Sequence, residues 1–290
     1  MSDKEKKNND LRQKQQIIDY YNAVQERYNK FWMTPDNLAI HYGYYDNGVT
    51  SHESSLIRMN EVLANKAKIK KTDLVLDAGC GIGGSSIWLA KNIGSKVIGI
   101  TLVEKQLDFA TNFAKEKGVE DLVEFKIKDF TITGFEDEIF DVVWAIESVC
   151  HTIDKKKFVD ESYRILKKDG GRLIVSDYFM TKDTLTATEA KDMKWISGWA
   201  LPNLCPVNYF NKYIHDIGFK KMAFEDVTNF VLPSSKRMHD HGVRVYQEAL
   251  QHNSVTSEHD ITLSHMKALI EQYNTLTRGL WCYSIFFAEK

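Results

Sequence analysis

Between Leu74 and Ser176 short apolar runs alternate with stretches whose apolar residues recur at threes and fours. The runs 74–76, 96–100, 123–127, 140–145 and 172–176 predict five strands. The intervening patterns predict helices over 85–93, 104–117 and 154–167. Gly118 is placed to cap the second of these and Asp154 to open the third. Strand and helix taking turns in this way predict a parallel, doubly wound sheet.

The flanks read differently. Leu11, Ile17, Ile18, Tyr21, Val24, Tyr28 and Phe31 predict a helix over 11–33 that Pro35 stops, and a second helix spans 51–70 with Leu56, Ile57, Met59, Val62 and Leu63 inward. Beyond Ser176 the pattern predicts a helix over 184–200, another from Pro206 closed by Gly218, and a strand over 220–230. Helices over 233–252 and 258–277 follow, then a final strand over 279–289. The expected fold is α/β: a seven-stranded sheet with its last strand antiparallel, under a helical cap from both flanks. One domain is expected, with cap helices in 11–70, a core at 72–178, cap and insertions in 179–278 and the final strand in 279–290. The polar stretch 1–10 is expected to be disordered.

Composition narrows this without changing it. The 290 residues are 43% hydrophobic and 27% charged, ordinary for a globular chain. A formal net charge of -2 gives no global case for nucleic acid. Cys80, Cys150, Cys205 and Cys282 lack Cys-x-x-Cys spacing, so neither disulfides nor a metal site is expected. No apolar run is long enough to span a membrane, and the start lacks a signal-peptide core. A cytoplasmic enzyme for a small molecule is expected, with a homo-oligomer left open.

The candidate chemistry begins at Asp77-Ala-Gly-Cys-Gly-Ile-Gly-Gly-Ser-Ser86, an acid and a glycine-dense turn between strand and helix. Glycine at 79, 81 and 83 permits positive φ and close approach of a ligand. The turn fits two cofactors. Gly79-x-Gly81-x-x-Gly84 also satisfies a dinucleotide fingerprint, which expects an acid at the end of the next strand. Thr101 stands there instead, which disfavours an NAD-linked oxidoreductase, whereas Asp77 is placed to meet a cation. Past the fourth strand lie Glu147 and His151, candidates for a base. A histidine can titrate near neutrality, and a desolvated glutamate has a raised pKa. The alternative is that Glu147 orders the loop and His151 caps a helix.

Rings are plentiful in the cap: Tyr20, Tyr21, His41, Tyr42, Trp195, Trp199 and Tyr209. They either fill its core or close over a ligand, where aromatic faces favour a nearby cation. Arg237, His239, His241 and Arg244 form a basic cluster that reads as a diphosphate or carboxylate site, or as a solvated helix face.

Residues 72–178 resemble the core of class I S-adenosylmethionine-dependent methyltransferases. The likeness rests on the glycine turn, on Gly99-Ile-Thr-Leu102 with Gln106, on Lys128-Asp129, and on Glu147-Ser-x-x-His151. Within that class the chain is similar to the group of tocopherol, sterol and isoprenoid, and natural-product methyltransferases. The resemblance implies S-adenosylmethionine as cofactor and a Rossmann-like fold. Asp77, Gly79, Cys80, Gly81, Gly83, Leu102 and Ala145 would then lie along the cofactor, with Thr101 and Gln106 at its ribose or methionine end. Asp129 would accept from the adenine amino group, with Phe130 flanking the ring. Cyclopropane synthases of this group carry a carboxylate just before the histidine, and Cys150 stands in its place here. The expected reaction is C- or O-methylation of a small, largely apolar acceptor, an isoprenoid or other natural product. N-methylation of a small amine is the alternative.

Overall fold

The computed structural model describes residues 3–34, 37–251 and 261–290. The chain opens with helices α1 (Asp3–Phe31) and α2 (His52–Lys66), then strand β1 (Leu74–Ala78), α3 (Gly84–Asn92), β2 (Lys96–Thr101), α4 (Glu104–Glu116) and β3 (Val123–Ile127). It continues through β4 (Val142–Ile146), α5 (Lys155–Ile165), β5 (Arg172–Met180), α6 (Ala187–Asp192) and α7 (Val207–Ile217). Strand β6 (Lys220–Asp226), α8 (Thr228–Gln251), α9 (Ile261–Thr277) and β7 (Trp281–Glu289) complete it.

The seven strands form one sheet in the order β3-β2-β1-β4-β5-β7-β6. Strands β1 to β5 pair in parallel, and β7 runs antiparallel between β5 and β6. The α/β fold with one reversed strand agrees with the sequence pattern. Successive strand residues face opposite layers. Val75, Trp144, Ile174 and Ile285 pack towards α2, with Leu56, Met59 and Leu63. Leu76, Val143, Val175 and Phe286 pack towards α5 and α7, through Phe158 and Phe210. Both layers are predominantly apolar where they meet the sheet, as a parallel sheet covered on both faces requires, with a few buried polar groups such as Asn60 and Ser176 among them.

Several boundaries move. Residues 3–10, expected to be disordered, are helical: α1 begins at Asp3, and Lys14 bonds Asp10 one turn back. β5 runs to Met180, four residues past Ser176, because β7 pairs with it along its whole length. β6 stops at Asp226, whose carboxylate takes the Thr228 N–H, and the chain turns into α8 five residues before Pro233. Residues 184–200 divide into α6 and a 3-10 turn over Met193–Trp199. Asp154 caps α5 as expected, accepting from the Lys157 N–H, and Gly218 closes α7 in a left-handed conformation. Pro35, residues 1–2 and the 252 and 258–260 ends of two expected helices lie outside the described residues.

Candidate active site

At the carboxyl ends of β1, β2 and β4 a cavity of about 1300 Å³, mouth included, runs beneath α1. Open α/β sheets bind ligands at this edge, where strand order reverses. Here the reversal falls between β1 and β4.

Asp77, at the end of β1, is 3% exposed, and its Oδ2 accepts from the Ser86 hydroxyl at 2.6 Å. Burial raises its pKa to about 6, against the two Ser86 donors that pull it down. A cation beside it would restore the ionised form. The turn that follows needs its glycines. Gly79 has φ +92°, and a Cβ there would stand 2.4 Å from the Ser148 Cβ. Gly79, Gly81, Thr101, Leu102 and Gln106 join Asp77 on the cavity wall. Thr101 donates its hydroxyl to Gln106 Oε1 at 2.8 Å, and Gln106 donates to Gln25 of α1 at 2.9 Å.

Three residues expected on the cofactor, Gly83, Cys80 and Ala145, are not among those that line the cavity. Gly83 opens α3 with φ +86°, and its missing Cβ makes room for Phe125 and Ala110. The Cys80 Cβ packs close to Gly99 of β2, and its thiol lies 3.6 Å from the Gly81 carbonyl. Ala145 lies in the apolar layer against α5, because strand alternation sends it to the face away from Trp144.

Asp129 and Phe130 lie at the far end of the cavity. One Asp129 oxygen takes the Thr131 N–H and hydroxyl, each at 2.7 Å, and the other faces the Lys14 ammonium at 2.6 Å. These partners hold its pKa below the usual carboxylate value although burial opposes them. Lys14 carried no signal in the sequence, since only the docking of α1 brings it here.

The opposite wall centres on Glu147, one residue past β4. Its backbone has φ +48°, a left-handed conformation that costs a non-glycine residue about 1 kcal/mol or more. The Glu147 N–H to Ser176 carbonyl bond at 2.9 Å helps to hold it. Oε1 accepts from the Tyr42 N–H at 2.6 Å and the Tyr283 hydroxyl at 2.8 Å, and Oε2 accepts from the Tyr178 hydroxyl. Burial nevertheless outweighs all three donors and raises its pKa to about 7. Tyr178 and Tyr283 sit opposite each other in the β5–β7 register. An end at Ser176 leaves Tyr178 outside the fifth strand, whereas Tyr283 falls within the expected final strand.

His151 also borders the cavity, but burial depresses its pKa to about 4, so it does not titrate near neutrality as expected. Its Nε2 lies 3.1 Å from the Tyr21 hydroxyl and its Nδ1 3.4 Å from the Ala200 carbonyl. That carbonyl can only accept, which assigns the proton to Nδ1 and the Tyr21 bond to the Nε2 lone pair. His151 does not cap α5, since Asp154 does. His41 is neutral for the same reason: burial lowers it to about 4, Nδ1 bonds the Tyr42 carbonyl at 2.8 Å, and Nε2 has no partner.

Of the rings expected around an acceptor, Tyr20, Tyr21, His41 and Trp199 line the cavity. Tyr42 lies behind Glu147, its hydroxyl donating to Gln272. Trp195 is buried against Trp199 and Trp281. Tyr209, on the first turn of α7, is 43% exposed. Among the described residues no group of side chains could hold a metal ion, and no helix is long and apolar enough to cross a membrane.

Residues 76–175 match the family model described as "Methyltransferase domain". The chain belongs to the class I S-adenosylmethionine-dependent methyltransferases. It is 27% identical over 252 residues to 27-O-demethylrifamycin SV methyltransferase of Amycolatopsis mediterranei, covering 87% of this chain and 90% of that one. It is 32% identical over 213 residues to sterol 24-C-methyltransferase ERG6 of Saccharomyces cerevisiae, covering 72% of this chain and 54% of that one. The chain thus spans nearly the whole of one relative and about half of the other. In fold it resembles a geranyl diphosphate methyltransferase solved with GPP and sinefungin, at TM-score 0.74 and 19% identity over 96% of this chain and 99% of that one.

The cofactor of this class is S-adenosylmethionine, and the residues present fit it. A carboxylate with a single side-chain donor (Asp77) stands at one end of the cavity, a second carboxylate (Asp129) at the other, and the Thr101–Gln106 pair between them.

Proposed function

We propose that this methyltransferase methylates carbon or oxygen of a small, largely apolar acceptor, an isoprenoid or related natural product, with Glu147 as the base. The named relatives, which act on a sterol and on a rifamycin, support the acceptor class. The observation that carries the reading is the Glu147 carboxylate. It borders the same cavity as Asp77, is held by three donors, and has its pKa lifted to about 7.

When bound, S-adenosylmethionine supplies a methyl group already activated by its positive sulfur. The chain's residues hold it, align the acceptor and keep water out. Asp77 receives the cationic amino end, and Asp129 the purine. Alignment of two bound reactants is worth up to about 7–11 kcal/mol of barrier. A proton must then leave. A hydroxyl acceptor loses its own, and a methylated alkene becomes a carbocation that loses one from the neighbouring carbon. Glu147 accepts that proton. A carboxyl with pKa about 7 is half ionised at neutral pH and still basic enough to take it. His151, at about 4, is a much weaker base, and its free lone pair is spent on Tyr21. Its place in the reaction is to hold Tyr21 on the cavity wall. Tyr21, Tyr178 and Trp199 turn aromatic surface towards the acceptor, which favours positive charge developing there.

Thermal-shift titration tests the cofactor, and labelled S-adenosylmethionine with a panel of sterols, prenyl alcohols and phenols tests the acceptor. A ligand at about 100 times its Kd adds about 2.7 kcal/mol. Stabilisation by NAD with none by S-adenosylmethionine would sink the reading.

A further inference from the structure

A second cavity adjoins the first, between the last turns of α1, the middle of α8 and the start of α9. With its mouth it encloses about 1160 Å³. Tyr28 and Met238 belong to the walls of both cavities. Tyr20, on the first wall, bonds the Tyr28 hydroxyl at 2.9 Å and His265 of the second at 3.0 Å. A single layer of side chains therefore divides the two spaces.

The second cavity is apolar inside and basic at its rim. Leu269, Met266 and Val245 line its interior. Arg27 and Lys30 of α1 line it on one side, and on the other Arg237 and Arg244 of α8 stand just behind the lining, against Phe31 and His241. Phe31 stacks flat on His241 at 3.3 Å, the Arg237 guanidinium lies 5.4 Å from the same ring, and Arg244 donates to His241 Nδ1 at 2.9 Å. Among the described residues none of these four cations is paired with a carboxylate. Acids are at hand for their neighbours: Asp240 pairs with Lys236, and Glu26 with Lys105. Glu248 is the only carboxylate on the described lining. The rim's field is visible in the imidazoles. Burial first, then the arginine charges, press His241 down to about 4 and His265 to about 3. Four cations with no ion-pair partner among the described residues outnumber the single lining carboxylate, Glu248, and an anionic group relieves their mutual repulsion through charge-assisted hydrogen bonds.

We propose that the second cavity is the head-group subsite of the acceptor, with Arg27, Arg237 and Arg244 holding a carboxylate or phosphate ester while the apolar chain passes Tyr28 and Met238 towards Glu147. The acceptor is accordingly an anion-headed amphipathic molecule, bound by its head in one cavity and methylated along its chain in the other. This rests on the methyltransferase reading of the first cavity. The test uses protein saturated with S-adenosylhomocysteine, titrated with farnesol, farnesyl phosphate and farnesoic acid and followed by tryptophan fluorescence. At least one of the two anions should bind ten times or more tighter than the alcohol, and which one binds better identifies the head group. In the Arg27→Gln/Arg237→Gln double variant, with folding checked by melting, that preference should vanish while S-adenosylhomocysteine binds as before. Equal binding of the three probes, binding of none, or a preference that survives the double variant overturns the proposal. Failure of S-adenosylhomocysteine to bind would instead bring down the reading of the first cavity.

Discussion

The two walls of the first cavity are built by different means. Asp77, Thr101 and Asp129 each stand at or just past the end of a strand, and the parallel register sets their spacing, with Asp77 opposite Gly99 and Thr101 opposite Ile127. Glu147 is held instead by groups 105, 31 and 136 residues away, from Tyr42, Tyr178 and Tyr283. Local chain geometry makes the first wall, and tertiary packing makes the second. A change at the acceptor wall should therefore alter turnover and leave cofactor binding alone, while a change at the cofactor wall should do the reverse.

Glu147→Gln breaks the comparison most sharply. It keeps the shape and most of the hydrogen bonds but removes the base, and loss of a general base costs about 10²- to 10⁴-fold. Turnover should fall by that much while the Kd for S-adenosylhomocysteine, measured by calorimetry, stays within about twofold. Equal losses in both would mean that the two walls are one unit and that Glu147 is structural.

The same residue gives a pH prediction. Its folded pKa is about 7, above the unfolded value of about 4.3. Between those values the native state binds more protons than the unfolded chain, so this group's contribution falls as pH rises across the window, by up to about 4 kcal/mol. The native enzyme should lose stability relative to Glu147→Gln between about pH 4.5 and pH 7, while kcat rises as the carboxyl ionises. Parallel Tm–pH curves for the two proteins would show that Glu147 keeps an ordinary pKa.

The contrast between the walls also explains what the sequence reveals. Asp77, Gly79, Thr101 and Asp129 are legible because each follows a strand whose apolar run marks its own end. Glu147 is legible as a position, but its three donors are not. Tyr178 and Tyr283 meet through the β5–β7 register; the reversal of the last strand is expected from the sequence, but its pairing partner and register are not. Tyr209 shows the opposite error: it belongs to the aromatic supply of the cap, yet the rotation of α7 turns it to solvent. Gly83 has the family's spacing, but it serves packing against Phe125.

On the cofactor wall, Gly79→Ala places a Cβ 2.4 Å from the Ser148 Cβ in a left-handed conformation. The strain of that conformation, about 1–2 kcal/mol, adds to overpacking of about 1–3 kcal/mol. Tm should fall by several degrees, and S-adenosylhomocysteine should recover part of the loss less well than in the native protein. An unchanged Tm would mean that the turn relaxes freely and its glycines are not needed for shape.

The smallest effect is the most informative about how the walls meet. Lys14, on α1, faces the Asp129 oxygen that an adenine amino group would need, and the other oxygen is already taken by Thr131. α1 also covers the acceptor side through Tyr20 and Tyr21, and Gln25 joins the same helix to Gln106, so displacing Lys14 would link cofactor entry to the acceptor wall. The pair is partly exposed, with side chains 26% and 15% accessible, so it is worth no more than about 1 kcal/mol. If binding must displace Lys14, then Lys14→Ala should tighten S-adenosylmethionine binding by up to about fivefold, whereas Asp129→Ala should weaken it. Raising salt should narrow the gap between native protein and Lys14→Ala, because screening weakens the pair in the free protein. Weaker binding in Lys14→Ala would reverse the picture: the ammonium would be orienting Asp129 for the purine, and α1 would belong to the cofactor wall.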